Sequence, residues 1–290
     1  MSVYTKPITE IIQNRFSCRS YLKAPVDSEK QQMLRAFISD IRVGPLNTSV
    51  RYDLLAAENR DRKALRGLGT YGLIKDAAGF VVGAMGPGNK NLEDYGYRLE
   101  QIVLYLTDLG LGTCWLGGNF TRSSFARKIG ATTEERLPAV IALGIIADEA
   151  QARQSAMRQS VGADTRLPWE NLFFDGKFGA SLSRQKAGPY ALLLENLRLG
   201  PSASNKQPWR VIQAGNAFHF YLQRTKGYPP ALVKTVLQIE DLQRVDLGIA
   251  MCHFELTASE LGLLGCWMVQ EPPINKPDAL CEYTVSWEID

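Results

Sequence analysis

Apolar residues recur at helical spacing between 92 and 109, where Tyr95, Leu99, Ile102, Val103, Leu106 and Leu109 fall on one face of a long helix. A segment of similar length, about 242–261, is predicted as its partner. Residues 6–14 and 27–42 read as shorter helices, the second opening at Asp27 or Ser28 as N-cap just after Pro25. Apolar runs at 52–57, 79–83, 139–146 and 283–289 predict strands. A helix over 191–199 stops at Gly200-Pro201, where glycine supplies a C-terminal cap and proline cannot continue the ladder; 209–212 then reads as a strand. The pattern is α+β.

These elements come in the same order twice. Ile41-Arg42-Val43-Gly44-Pro45 aligns with Leu197-Arg198-Leu199-Gly200-Pro201 at a spacing of 156 residues, and Leu109-Gly110-Leu111-Gly112-Thr113-Cys114-Trp115 aligns with Leu261-Gly262-Leu263-Leu264-Gly265-Cys266-Trp267 at 152. The long helices carry Asp94/Gly96 and Asp246/Gly248, also 152 apart. Each copy supplies helix, polar loop, strand, long helix, Gly-Leu turn and final strand, the expectation for an internal duplication. The first repeat, with a connecting tail, spans 1–180, and a shorter second repeat spans 181–290, the two packed as one unit.

Composition limits the partners. The chain has 290 residues, 45% of them hydrophobic, ample for a core. Lys+Arg 33 against Asp+Glu 30 leaves +3, too mild for a nucleic-acid surface. Five cysteines without a Cys-x-x-Cys suggest reduced thiols and a cytoplasmic location. No apolar run approaches the ~20 residues that span a bilayer, so no membrane partner is expected. With His219 and His253 as the only histidines, neither a histidine-rich metal set nor a Ser-His-Asp arrangement is visible, and no metal site is expected. Redox chemistry would have to come from a cofactor.

Three stretches carry candidate chemistry. Residues 201–209, Pro201-Ser202-Ala203-Ser204-Asn205-Lys206-Gln207-Pro208-Trp209, crowd hydroxyls and amides between a helix end and a strand. This is either a loop built for a flat anionic ligand or an Asx/Ser turn serving its own backbone. Arg15-Phe16-Ser17-Cys18-Arg19 places two guanidiniums and a hydroxyl two residues apart, on one side of an extended segment, suited to phosphate oxygens; basic surface residues before a helix are the alternative. Gly110 and Gly112 fit a helix end and close packing, whereas Gly117-Gly118 would let backbone N–H groups approach a ring edge.

Taken together, Arg15-x-Ser17-x-Arg19, the Gly110-Leu-Gly-x-x-Trp turn, Arg166-x-Pro168-x-Glu170 and Pro201-Ser-x-Ser-Asn205-x-Gln207-Pro208-Trp209 resemble the FMN-dependent nitroreductase family. In that family two subunits pair and FMN sits at their interface. Here the first copy keeps the Arg-x-Ser-x-Arg, turn and tail, while its loop, Gly44 to Tyr52, lacks the Ser-Asn-Gln-Pro-Trp pattern; the second copy keeps the loop and lacks the Arg-x-Ser-x-Arg. The chain thus resembles a fused pseudo-dimer with one composite FMN site.

The resemblance implies roles. Arg15 and Ser17 would hold the phosphate, with Arg166 as a further contact, and Arg19 would reach the pyrimidine side of the isoalloxazine. Pro201, Ser202, Ala203 and Asn205 would line the ring and ribityl, Gln207 would support the loop, and backbone at Leu116, Gly117 and Gly118 would face the N5/O4 edge. Lys75 is either a ring contact or a surface lysine. No side chain is implied as catalytic, since flavin N5 carries the chemistry. The implied activity is a ping-pong oxidoreductase that takes hydride from NAD(P)H and reduces a nitroaromatic, quinone or similar small electrophile, working as a pseudo-dimeric monomer or as a higher oligomer. The alternatives are a flavin-binding protein without turnover and a specialised flavin-dependent dehydrogenase of the same fold.

Overall fold

The computed structural model describes residues 3–58, 61, 63–228 and 239–290. Its helices are α1 (Ile8–Asn14), α2 (Ser28–Asp40), α3 (Asn91–Asp108), α4 (Arg122–Lys128), α5 (Glu149–Arg153), α6 (Ala156–Ser160), α7 (Arg184–Ala187), α8 (Tyr190–Arg198) and α9 (Leu242–Glu260). Its strands are β1 (Val50–Ala56), β2 (Gly79–Met85), β3 (Gly112–Leu116), β4 (Val140–Gly144), β5 (Phe173–Asp175), β6 (Trp209–Ala214), β7 (Ala217–Gln223), β8 (Gly265–Met268) and β9 (Cys281–Ile289). Among the described residues no helix is long and apolar enough to cross a membrane.

The strands make two sheets, β1-β2-β4-β3 and β5-β6-β7-β9-β8. All pairings are antiparallel except β5 with β6, so the α+β class is as the sequence predicts and the sheets are mainly antiparallel. With β5 set aside, both sheets follow one plan: an antiparallel pair, a long helix, then a second pair whose last strand inserts in the middle. β5 is a departure. It belongs in sequence to the tail of the first half yet pairs parallel with β6 of the second, Val211 N donating to Leu172 O at 2.8 Å. Three residues are too few for an alternating pattern to register, so it is the open edge of β6 that defines this strand.

The two long helices pack against each other at the centre. Gly96 and Gly248 explain how closely: a Cβ on Gly248 would fall 2.7 Å from Tyr97 N and closer still to Glu93 O. A Cβ on Gly96 would meet Val245 in the same way, 2.9 Å from its carbonyl carbon. Each helix therefore seats its glycine on the other's backbone. The cores interlock around the crossing, Tyr97 and Leu104 of α3 joining the layer under the second sheet and Val245 of α9 joining the layer under the first.

Helix ends divide between expectation and correction. Gly110 is left-handed, φ 76°, and Leu111 N returns to Leu106 O at 2.9 Å, the glycine C-cap the sequence predicts. Gly200 is not left-handed. Its N–H donates to Leu197 O at 3.0 Å, and a Cβ there would lie 3.0 Å from that same oxygen, so crowding is what selects glycine after α8. Asp27 does stand at the N-cap of α2 but makes no side-chain cap bond.

Candidate functional site

A cavity of about 360 Å³ lies where the two halves meet. The first half contributes an extended segment after α1, the end of β3 and the tail. Residues Arg15, Ser17 and Arg19 all line the cavity, as their alternation requires, because Ser17 bridges to Thr113 beside β3 and holds the segment extended. Leu116, Gly117 and Gly118 line it next to them, and Arg158 and Arg166 approach from the tail. From the second half come Pro201, Ser202, Ala203 and Asn205 of the loop, then Leu242, Val245, Asp246 and Ile249 at the start of α9.

Its charge is the informative part. Arg15 Nε, Arg19 Nη1 and Arg166 Nε are buried with no hydrogen-bond partner. Burial pulls the Arg166 guanidinium down to about 10, and Arg15 and Arg198 push in the same direction. Arg15 is also pulled down, first by burial; Glu100 opposes that and Arg158 adds to it. Arg158 is ion-paired to Asp164 and donates to Arg153 O at 3.0 Å, and Arg166 gives Nη1 to Ala163 O at 2.8 Å and Thr165 O at 2.7 Å and Nη2 to Leu199 O at 3.0 Å, so Arg15 and Arg19 are the least satisfied of the four. Buried cations with spare donors beside a cavity are costly until an anion satisfies them.

The loop spends its polar groups differently. Ser202 Oγ accepts from Gln207 N at 2.9 Å. Asn205 Nδ2 donates to Gly162 O at 2.6 Å and Thr165 O at 3.1 Å, tying the loop to the tail that carries Arg166. Gln207 does not line the cavity; it is buried behind the loop, accepting from Leu167 N at 2.8 Å and donating to Asn205. The side chains that drew notice in the sequence thus build the loop, and the free donors at the site are the arginines. Ser204, Asn205 and Gln207 hold φ values of 50°, 53° and 49°, a left-handed path that these contacts fix.

Gly117 and Gly118 have a packing reason as well. A Cβ on Gly118 would sit 2.8 Å from Ile239 Cδ1, and one on Gly117 2.9 Å from Leu242 Cδ2. Lys75 is exposed and outside the cavity, which takes Leu73 instead. Arg158 was not legible in the sequence, since it lies in a Gln/Arg/Ser-rich stretch with no motif. The start of α9 was legible as a helix from about 242 and as the Asp246/Gly248 pair, neither of which pointed to a cavity.

Asp246 joins cavity and loop, accepting from Ala203 N at 3.0 Å. Asp94 does the same in the first half, accepting from Leu46 N and Thr48 N at 2.8 Å each. Burial pushes the Asp246 carboxyl well up, against the Ala203 bond. A raised folded value means that its stabilising contribution is full below the unfolded carboxylate value of ~3.9 and is lost as pH rises through the folded one. Thermal midpoints of the wild type should therefore fall more steeply above that unfolded value than those of Asp246→Asn; parallel profiles would show that Asp246 does not titrate in this way.

Tyr97, 152 residues before Ile249, donates its hydroxyl to Glu255 Oε2 at 2.7 Å, which also accepts from Trp267 Nε1 at 2.6 Å. At the spacings of 152 and 156 residues noted in the sequence, Val269-Gln270 stands against Gly117-Gly118 and Leu46 against Ser202.

Among solved structures, a "putative nitroreductase" from Thermotoga maritima MSB8 superposes with a TM-score of 0.61 at 19% identity, covering 100% of this chain and 96% of that one. That likeness shows the fold. A nitroreductase with bound FMN from Desulfitobacterium hafniense DCB-2 matches at 16% identity and a TM-score of 0.38, over 50% of this chain and 91% of its own. An oxidoreductase containing FMN matches at 16% and 0.47, over 62% and 96%. No curated protein matches the chain. The family model described as "Putative TM nitroreductase" matches residues 7–258, and the chain belongs to that nitroreductase family.

Proposed function

We propose that the cavity binds FMN and that the protein is a flavin-dependent oxidoreductase drawing on NAD(P)H to reduce a small electrophile such as a nitroaromatic or quinone. The observation that carries this reading is the set of buried, unpartnered guanidinium nitrogens on Arg15, Arg19 and Arg166 around one cavity. They fit a phosphate and an electron-rich ring edge better than a neutral ligand. Arg15, Ser17 and Arg166 would hold the phosphate, while Arg19 would stabilise charge on the pyrimidine side. The floor of Ala139, Val245 and Ile249 is apolar, as a flat ring system requires. FMN, when bound, supplies two-electron transfer between donor and acceptor. The chain's own residues bind, orient and neutralise.

We further propose that the two halves, 1–180 and 181–290, are copies of one unit fused into an intramolecular pseudo-dimer. The shared strand plan, the paired Asp94 and Asp246 loop contacts and the reciprocal glycines support this reading. With Leu46, Tyr97, Val269 and Gln270 at the positions that this pairing sets against Ser202, Ile249, Gly117 and Gly118, one FMN per chain is expected. An absorbance titration with FMN, followed by anaerobic NADPH and then NADH, tests both statements. Saturation at one equivalent with bleaching of the flavin band is the expected result. Binding without bleaching would leave a flavin protein without nicotinamide turnover, and no binding would remove the cofactor assignment.

A further inference from the structure

Behind the cavity wall lies a carboxylate that none of the roles above uses. Glu100 of α3 and His253 of α9 are both fully buried and meet at 2.9 Å between Oε1 and Nε2. His253 Nδ1 faces the main-chain oxygen of Asn196 at 2.8 Å, an atom that only accepts, so Nδ1 carries a hydrogen. The second Glu100 oxygen accepts from Trp115 Nε1 at 2.8 Å. Arg15 Nε stands 3.8 Å from Oε1. Trp115 and Arg15 both line the cavity, so Glu100 reaches it through two neighbours without touching it.

A buried carboxylate in a helix interior is costly, and replacing such groups by apolar ones often leaves a protein no less stable. Arg15 shows what this one does. Its Nε has no hydrogen bond, and its cationic neighbours repel it, Arg158 more than Arg153. The attraction that keeps the guanidinium at the wall comes from Glu100.

We propose that Glu100 is a positioning residue for Arg15, and that His253, reaching across from the other half, holds Glu100 in place. The pair sets the aim of the guanidinium that takes the ligand's phosphate, so each half contributes to the anion end of the site. This rests on the FMN reading above.

Glu100→Gln separates charge from shape. Its amide oxygen can accept from Trp115, and its amide nitrogen can donate to Nε2 of a neutral His253 in the reverse sense of the carboxylate contact, so both contacts and the volume survive while the carboxylate charge facing Arg15 is lost. FMN affinity is expected to fall about tenfold. Riboflavin, which lacks the phosphate, should bind as before. In an Arg15→Ala background the substitution should have no further effect, because its partner is gone. Equal losses for FMN and riboflavin, the same factor in the Arg15→Ala background, or no change at all would overturn the proposal. Should Glu100→Gln fail to fold, Glu100→Asp, which keeps the charge but draws it back, is held to the same FMN-against-riboflavin criterion with a smaller loss. If the wild type does not bind FMN, the functional reading fails by that result alone, and inorganic phosphate becomes the probe. A larger phosphate-dependent thermal shift in wild type than in Glu100→Gln then supports the positioning role, and equal shifts, nil included, overturn it.

Discussion

Gly248→Ala is expected to destabilise the protein by about 3 kcal/mol or more, lowering Tm by roughly 6 °C. The added methyl would fall 2.7 Å from Tyr97 N and closer to Glu93 O, and neither backbone atom can swing aside as a flexible side chain can. The helices must separate instead, which loosens both apolar layers at once because Tyr97 and Val245 interlock there. Separation also moves the cavity wall, since Val245, Asp246 and Ile249 lie within one turn of Gly248. FMN affinity should therefore fall even under conditions where the variant stays folded. Urea denaturation of the two proteins decides the matter: a difference under about 1 kcal/mol would mean the crossing has room that the geometry denies. Gly96→Ala should behave alike, and the double variant should cost less than the sum, because once the helices have parted the second methyl meets less resistance.

The pair that makes this prediction was visible in the sequence as a repeated Asp-x-Gly, but its meaning was not. Spacing can show that 94/96 and 246/248 correspond; it cannot show that one member ties down a loop and the other seats a helix on its partner. Long elements were legible because apolar periodicity survives over many residues, and α3 and α9 fall within a residue or so of expectation. β5 was not, for it owes its form to the edge it joins. Arg158 lies where composition is polar and without period, and so gave no signal. Glu100 and His253 were illegible for a different reason. Each is a polar residue inside an apolar helix, and only the packing of two helices distant in sequence reveals that they meet. The loop at 201–207 taught the converse: its density of amides and hydroxyls was a true signal of an unusual backbone path, and those groups turn out to be engaged mainly in holding that path.

Arg15→Ala is expected to weaken FMN binding by about 100-fold, the loss of one or two charge-assisted hydrogen bonds worth roughly 1.5–3 kcal/mol each. The fold should tolerate it. Arg15 is a buried cation pressed by Arg158 and lacking a hydrogen bond at Nε, while Glu100 keeps His253 and Trp115 as partners when Arg15 is removed. Affinity should thus drop while the apoprotein's Tm moves little. Asn205→Ala should weaken the same ligand by about tenfold for a different reason: its Nδ2 holds Gly162 and Thr165, and through them the segment that presents Arg166. The residues lie in different halves of the chain, yet both losses should appear in one binding isotherm that still saturates at one FMN. Isothermal titration of FMN and of riboflavin into each variant makes the distinction. Arg15→Ala should leave riboflavin affinity unchanged, because the lost partner is the phosphate. Were both ligands to weaken equally, Arg15 would belong to the ring end of the cavity; two equivalents of FMN per chain would overturn the proposal of a single composite site.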